Sequence, residues 1–399
     1  MIMSSRGSWA AILVIYAAGV AAAAQLGKLS ALLPPMQRDL GLDLTAAALL
    51  VSLLEIGGAT LGLFAGVVIS RVGARRALLA GLLLLAIAAA GMAATSAVIG
   101  MFLWRIVEAA AYLAVAVAAP TLTIATASPA QRSSALALWS TFFPVGFATG
   151  SILAGLGVEV APWRWVLLGS AALTALLLLP SWRLPTPPEA MPRRAATNGA
   201  RPARAPLGAW LMAVGFACYT TFEVGLLAVM PAYFTGQHGV SASTAGLISG
   251  VAAFASVLGG LAAAWWMRRD RPLGGFTAFG VAVPALLLFA VFTPAAGSWL
   301  WPAAAATLLN AISGAVPAVV FARLPDAVGP GGDMATANGL LAQGGASGSL
   351  LGPPLLAAAV SHLGWPAAAG AGLVASALCL LLLTLAQRGP NGAAALSRR

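Results

Sequence analysis

The sequence predicts an all-α polytopic membrane protein, with twelve transmembrane helices arranged as two six-helix halves. Three observations carry this. Sixty per cent of the 399 residues are hydrophobic and 8% are charged, whereas a soluble domain carries about 25% charged residues, so the chain lacks the ionic surface that a water-exposed globule needs. Apolar runs of roughly 20 residues recur almost throughout, and that is the length a helix needs to cross a bilayer. Short segments also recur between the two halves at a fixed offset.

The runs predict spans at 9–33, 46–68, 76–94, 97–122, 133–157, 164–181, 207–234, 243–266, 273–293, 299–321, 335–359 and 365–386. Long Leu/Ala segments, rather than short alternating ones, make helices the spanning structure and exclude an outer-membrane barrel. The first span could be misread as a cleaved signal peptide, but its counterpart in the second half argues that it is retained.

The basic residues comprise a single lysine and twenty arginines, and the net charge is +11. Their placement rejects nucleic-acid binding. Alternate connectors hold Arg6, Arg71, Arg75, Arg76, Arg132, Arg183, Arg193, Arg194, Arg201, Arg204, Arg268, Arg269, Arg271, Arg323, Arg388, Arg398 and Arg399, and the opposite set holds only Arg38 and Arg164. Such asymmetry is the positive-inside signature, and it predicts cytoplasmic termini and an even number of spans in a bacterial-type inner membrane.

The connector 182–206, rich in Pro, Arg and small residues, cannot build a core and reads as a flexible cytoplasmic linker. It divides the chain into an N-terminal bundle, 1–181, and a C-terminal bundle, 207–386, followed by a cytoplasmic tail, 387–399.

At an offset of 198, Ala148-Thr149-Gly150-Ser151-Ile152-Leu153 matches Ala346-Ser347-Gly348-Ser349-Leu350-Leu351, and Gly41-Leu42-Asp43-Leu44-Thr45 matches Gly239-Val240-Ser241-Ala242-Ser243. Two matches on either side of the linker indicate duplication. Gly146, Gly150, Ala154 and Gly344, Gly348, Gly352 recur every fourth residue, giving smooth faces on which helices approach closely in lipid.

The segment Gly66-Val67-Val68-Ile69-Ser70-Arg71-Val72-Gly73-Ala74-Arg75-Arg76 is similar to the signature loop G-x-x-x-D-R-x-G-x-R-R of the major facilitator superfamily, with Ser70 where that family usually has Asp. The chain resembles this superfamily over essentially its whole length. The resemblance implies a monomeric secondary transporter working by alternating access, a cytoplasmic gate loop at Gly66, Ser70, Arg71, Gly73, Arg75 and Arg76, and a cavity lined by spans 1, 4, 7 and 10. Arg105 resembles the arginine of proton-coupled antiporters in this superfamily, although Glu108-Ala109-Ala110 follow in place of the usual motif.

Five charges fall inside the apolar runs: Lys28, Glu55, Arg105, Glu108 and Glu223. Each costs at least about 2.5–3.5 kcal/mol at the bilayer centre and therefore needs a partner or a water-filled cavity. Arg105, Glu108 and Tyr112 share one helix face, read either as an internal ion pair or as a substrate-anchoring guanidinium beside a titratable carboxylate. Glu223, opposite Gln25 at the 198 offset, is a proton-site candidate or the partner of Lys28 or Arg105. Glu55 reads as structural or gate-related, with proton coupling as the alternative. Lys28 is expected near water at the outer end of span 1. Gln25, Lys28, Arg105, Tyr112, Tyr219 and Asn310 are the candidate substrate contacts.

No His/Cys/Asp cluster and no phosphate-binding loop accompanies these residues, so neither an enzyme nor a direct ATP motor is expected, and no cofactor or metal is called for. The reading is a carrier of a small organic solute, driven by a proton gradient, with facilitative or sodium-coupled transport as alternatives. An intramembrane enzyme and a non-transporting sensor are the readings from other classes.

Overall fold

The computed structural model describes residues 8–185, 206–269, 271–292, 297–329 and 333–388, without the side chains of Ser70, Ala335, Gln387 and Arg388. Positions 186–205 of the expected linker and 389–399 of the expected tail lie outside the described residues.

Twelve helical spans follow one another, and no strand occurs among the described residues. They are α1 Trp9–Leu40, α2 (Leu44–Ser52, a 3-10 turn at Leu53–Glu55, then Ile56–Val72), α3 Ala74–Ala94 and α4 Val98–Thr126. A short helix, Arg132–Trp139, leads into α5 Phe142–Val160, and α6 comprises Trp163–Leu176 and Leu178–Ser181. The second half holds α7 Leu207–His238, α8 Ala242–Met267 and α9 Leu273–Phe292. It ends with α10 (Leu300–Ser313 and Ala315–Val328), α11 Met334–Leu363 and α12 Pro366–Arg388.

Among the described residues, eleven spans are long and apolar enough to cross a membrane on length and composition alone. The twelfth is α11, whose Gln343, Ser347, Ser349 and glycines dilute its hydropathy. Those glycines are spent on packing. A Cβ at Gly348 or Gly352 would strike the carbonyl oxygen of Ala217 or Thr221 on α7. Outward-facing apolar residues such as Phe64, Ile99, Leu173 and Leu286 are exposed, as a lipid-facing band requires.

Several expectations about span limits need correction, span 10 among them, which was expected at 299–321 but breaks at Gly314 and runs to Val328. Span 1 was expected to stop at 33, before Pro34-Pro35, but α1 continues to a left-handed cap at Gly41 (φ 66°). Proline is tolerated here because neighbouring helices hold the segment in place. Span 5 was expected to run unbroken from 133. It breaks at Ser140 and Thr141, before Pro144, and the ring of Trp139 stacks on Phe142 at 4.3 Å.

The repeat is visible in the elements themselves. Helices α1 and α7 are both 32 residues long, and their ends differ by 198. Each closes on a left-handed glycine, Gly41 or Gly239, followed by an N-cap whose side chain accepts from a backbone N–H: Asp43 from Ala46 at 2.6 Å, Ser241 from Thr244 at 3.2 Å. From α4 onward the offset is 202, since Val98–Thr126 corresponds to Leu300–Val328. The contacts of α5 and α11 follow the same shift. Gly150 meets Ala24 and Gly352 meets Thr221, so the partner of Gly150 is Gly352, one turn beyond the Gly348 that the sequence match selects.

The halves meet most closely at the distal end, where the α1–α2 and α7–α8 turns lie. The Ser30 hydroxyl donates to the carbonyls of Leu227 at 2.9 Å and Ala228 at 3.0 Å. Ser151 on α5 donates to Gly246 on α8 at 3.1 Å, and the Ser243 amide donates to Glu159 at 3.0 Å. Ala48, Val229 and Ala357 form a small buried patch across α2, α7 and α11. Gln343 reaches from α11 to the Ala59 carbonyl at 2.7 Å, about midway along α2. No extensive packing joins α4 or the entry to α5 with α10 at the proximal end, among the described residues. The bundle is therefore closed distally, while proximally α2 still packs on α11, where a Cβ at Gly339 would lie 2.5 Å from Leu63.

Candidate functional site

Prolines and a helix break prepare the interior for polar contacts. Pro231 lacks the N–H that would bond Leu227, and the freed carbonyl takes the Ser30 hydroxyl across the two halves. Pro317 likewise frees the carbonyl of Ser313, and the Tyr219 hydroxyl crosses from α7 to donate to it at 3.0 Å. The 3-10 turn at Leu53–Glu55 interrupts α2 just beyond Leu50 and Val51, whose carbonyls accept from Arg105 at 3.0 and 2.6 Å.

Arg105 is fully buried. Besides those two bonds it donates to the Gln25 carbonyl at 3.3 Å and pairs with the Glu108 carboxylate. Charge-assisted hydrogen bonds contribute about 1.5–3 kcal/mol each. Several of them offset an insertion cost of about 2.5–3.5 kcal/mol, so Arg105 is held in place by the protein alone and ties α1, α2 and α4 together. The ion-pair reading of Arg105 and Glu108 describes this geometry.

Lys28 departs from expectation. It is 3% exposed rather than bathed by water, because α1 extends past it for another 12 residues. Its ammonium pairs with Glu108 at 3.3 Å and donates to the Gln25 side chain. Gln25 in turn donates to Thr174 on α6 at 3.5 Å and accepts from Ser170 at 3.4 Å. Tyr112 lies within hydrogen-bonding reach of the buried Glu55. Gln25, Lys28, Arg105 and Glu108 thus form one network in the N-terminal half, and Glu55 and Tyr112 are buried in the same half without a hydrogen bond or ion pair to it among the described residues.

The C-terminal half is arranged differently. Neither Lys28 nor Arg105 reaches Glu223, since both are committed to Glu108. Glu223 is partly accessible and makes no ion pair or hydrogen bond among the described residues. Its carboxylate lies beside Tyr219, one turn away, whose ring packs with Phe216 and Phe222. Asn310 is buried. Its amide nitrogen donates to Ala306 at 2.9 Å, and its Oδ1 has no partner. Of the expected contacts, Tyr219, Glu223 and Asn310 gather on α7 and α10, apart from the first network.

The gate-loop residues lie at the proximal end. Gly73 adopts φ 92°, which a side chain would strain, and its amide closes α2 on Ile69 at 2.8 Å. Arg75 sits over the Trp182 ring and donates to the Trp182 carbonyl, joining this turn to the end of α6. Arg71 and Arg76 are exposed, and open space surrounds Gly66. The Ser70 side chain lies outside the described residues.

Sequence reasoning missed Ser30, Ser313, Thr174 and the carbonyls of Leu50 and Val51. A usable signal existed for the first two: each membrane proline frees the carbonyl four residues earlier, and a hydroxyl at matching depth is its natural donor.

Solved structures share this architecture. A bacterial homolog of the human lysosomal transporter Spinster, in an inward-facing and occupied conformation, superposes with a TM-score of 0.71 at 17% identity, over 94% of each chain. A variant of the nucleoside transporter NupG gives 0.70 at 16% identity, over 95% of this chain and 99% of that one. No curated protein matches the sequence. The family model for the Major Facilitator Superfamily matches residues 12–329 and 212–398. With twelve spans, a two-half bundle and that match, the chain belongs to the Major Facilitator Superfamily of membrane transporters.

Proposed function

We propose that this transporter moves a small organic solute across the inner membrane by alternating access, coupled to protons, with Glu223 as the proton carrier. The observation that carries the reading is the contrast between two carboxylates. Glu108 is enclosed between two cations, whereas Glu223 is partly accessible and has no counter-charge among the described residues. A carboxylate without a fixed counter-cation in a low-dielectric cavity is the group best placed to bind and release a proton.

The termini and the linker 182–206 then face the cytoplasm, which the arginine distribution supports. The distal end is the outer one, so the described conformation is closed outside, with α4 and α10 not packed together inside among the described residues. Gln25, Lys28, Arg105 and Tyr112 act chiefly to hold the N-terminal helices in register, while Tyr219 and Asn310 face substrate. The proximal loop from Gly66 to Arg76 serves the cytoplasmic gate.

Proteoliposomes with an internal pH dye test this reading. The wild type should move protons when a transported solute is added, and Glu223→Gln should exchange solute without moving protons. Solute flux in the wild type with no proton movement would make the protein a facilitator or a sodium-coupled carrier. A cysteine at Ala196 that labels from outside intact cells would overturn the orientation.

A further inference from the structure

We infer that Glu223 and Asn310 form an ammonium slot that receives the protonated amine of an organic substrate. This rests on the transporter reading above and names the substrate class of the same site.

The argument starts from the pseudo-symmetry. Helices α1 and α7 correspond at an offset of 198 at both ends and at both caps. Helices α4 and α10 correspond at 202 at both ends. Gln25, Lys28 and Glu108 therefore correspond to Glu223, Leu226 and Asn310.

In the N-terminal half the position between the two acceptors is filled from within, since the Lys28 ammonium meets both Gln25 Oε1 and Glu108 Oε1. The C-terminal half keeps one carboxylate and one amide at the corresponding positions, exchanged between the helices, and replaces the lysine with the buried Leu226. Its acceptors have no cation among the described residues. Asn310 Oδ1 is buried without a partner, while the Asn310 amide nitrogen is already used. The cost of such an orphaned acceptor is recovered when a donor arrives.

Helices α7 and α10 are bridged one turn nearer the proximal end by Tyr219, whose hydroxyl reaches Ser313. Phe216 stacks on Tyr219 at 5.9 Å and Phe222 meets it edge-on at 5.4 Å. An aromatic wall beside a carboxylate suits an ammonium carried on an apolar body. Glu223 is partly accessible, so the slot can be reached.

Thermal shift of the purified full-length protein tests the slot with 2-phenylethylamine, 2-phenylethanol, 3-phenylpropionate and sodium chloride at neutral pH. The amine alone should stabilise the wild type. Glu223→Gln should weaken that effect at least about tenfold, the factor expected for losing a charged hydrogen bond. Leu226→Lys restores the internal cation of the other half, so it should abolish amine binding while melting no lower than the wild type without ligand. If Leu226→Lys does not fold, the Glu223→Gln result decides.

Equal stabilisation by amine, alcohol and acid would overturn the inference, as would no stabilisation by the amine. Stabilisation by sodium alone that Glu223→Gln removes would make the slot an inorganic-cation site and also overturn it. Proton movement in the dye-loaded vesicles, measured with any transported solute other than an amine, is scored separately. If it still depends on Glu223 while the amine result fails, the transporter reading stands and only the substrate class falls.

Discussion

At Gln25, Lys28 and Glu108 the N-terminal half closes a charge circuit on itself, while at the corresponding Glu223, Leu226 and Asn310 the C-terminal half leaves two acceptors without a cation among the described residues. The two halves share helix limits and left-handed glycine ends at α1 and α7, so at these three positions the difference lies in the side chains. Duplication supplies two equivalent positions. One is spent on rigidity, because Arg105 and Lys28 bind α1, α2 and α4 into a unit. The other is left able to exchange protons or ligands.

The largest effect should come from breaking the closed circuit. Arg105→Ala would leave the carbonyls of Leu50 and Val51 without their donor and remove one cation from Glu108. Removing one partner of a buried pair costs about 3–5 kcal/mol, so the variant should lose much of its folded yield or melt far lower in detergent. Arg105→Lys should not restore it, because an ammonium cannot reproduce the planar fork. A near-normal melting temperature for Arg105→Ala would return Arg105 to the substrate-binding role suggested by sequence.

A middle-sized effect concerns the bridge between α7 and α10. Tyr219→Phe strands the Ser313 carbonyl that Pro317 has already deprived of an amide, at a cost of about 1–3 kcal/mol. Adding Pro317→Ala supplies that amide, so the double variant should regain most of the lost stability. Additive losses in the double variant would show that the Tyr219 hydroxyl does not serve this carbonyl.

These particulars show what was legible in the sequence. The spans, the linker, the repeat and the charged residues at membrane depth all follow from composition, because lipid forces long apolar helices and punishes each exception. The pairing among those exceptions does not follow. Lys28 reads as near water because the first apolar run ends at 33, and α1 runs on to Leu40 through Pro34 and Pro35. Arg105 meets backbone carbonyls exposed by the interruption of α2 at Leu53–Glu55, a turn that itself contains neither proline nor glycine. The slip from 198 to 202 arises in the α3–α4 connector and its counterpart, where the second half is longer, and the helix limits reveal it.

The smallest effect should be at the distal closure. Ser30→Ala removes a hydroxyl that serves two carbonyls of the opposite half, worth about 0.6–1 kcal/mol on membrane scales. It should raise the outward-open population roughly three- to fivefold. The readout is labelling of a cysteine at Ala48, buried in the distal patch, by an impermeant maleimide in a background lacking Cys218 and Cys379. An unchanged labelling rate would show that this bond does not hold the closure.

The contrast between the halves is tested most directly by infrared difference spectra of the purified protein between acidic and neutral pH, which need no substrate. A protonated carboxylic acid absorbs apart from a carboxylate, so a buried group that takes up a proton announces itself. The account predicts a band that disappears in Glu223→Gln and persists in both Glu108→Gln and Glu55→Gln. A band that persists in Glu223→Gln and disappears in Glu108→Gln would contradict it, and would place the proton in the circuit described here as closed.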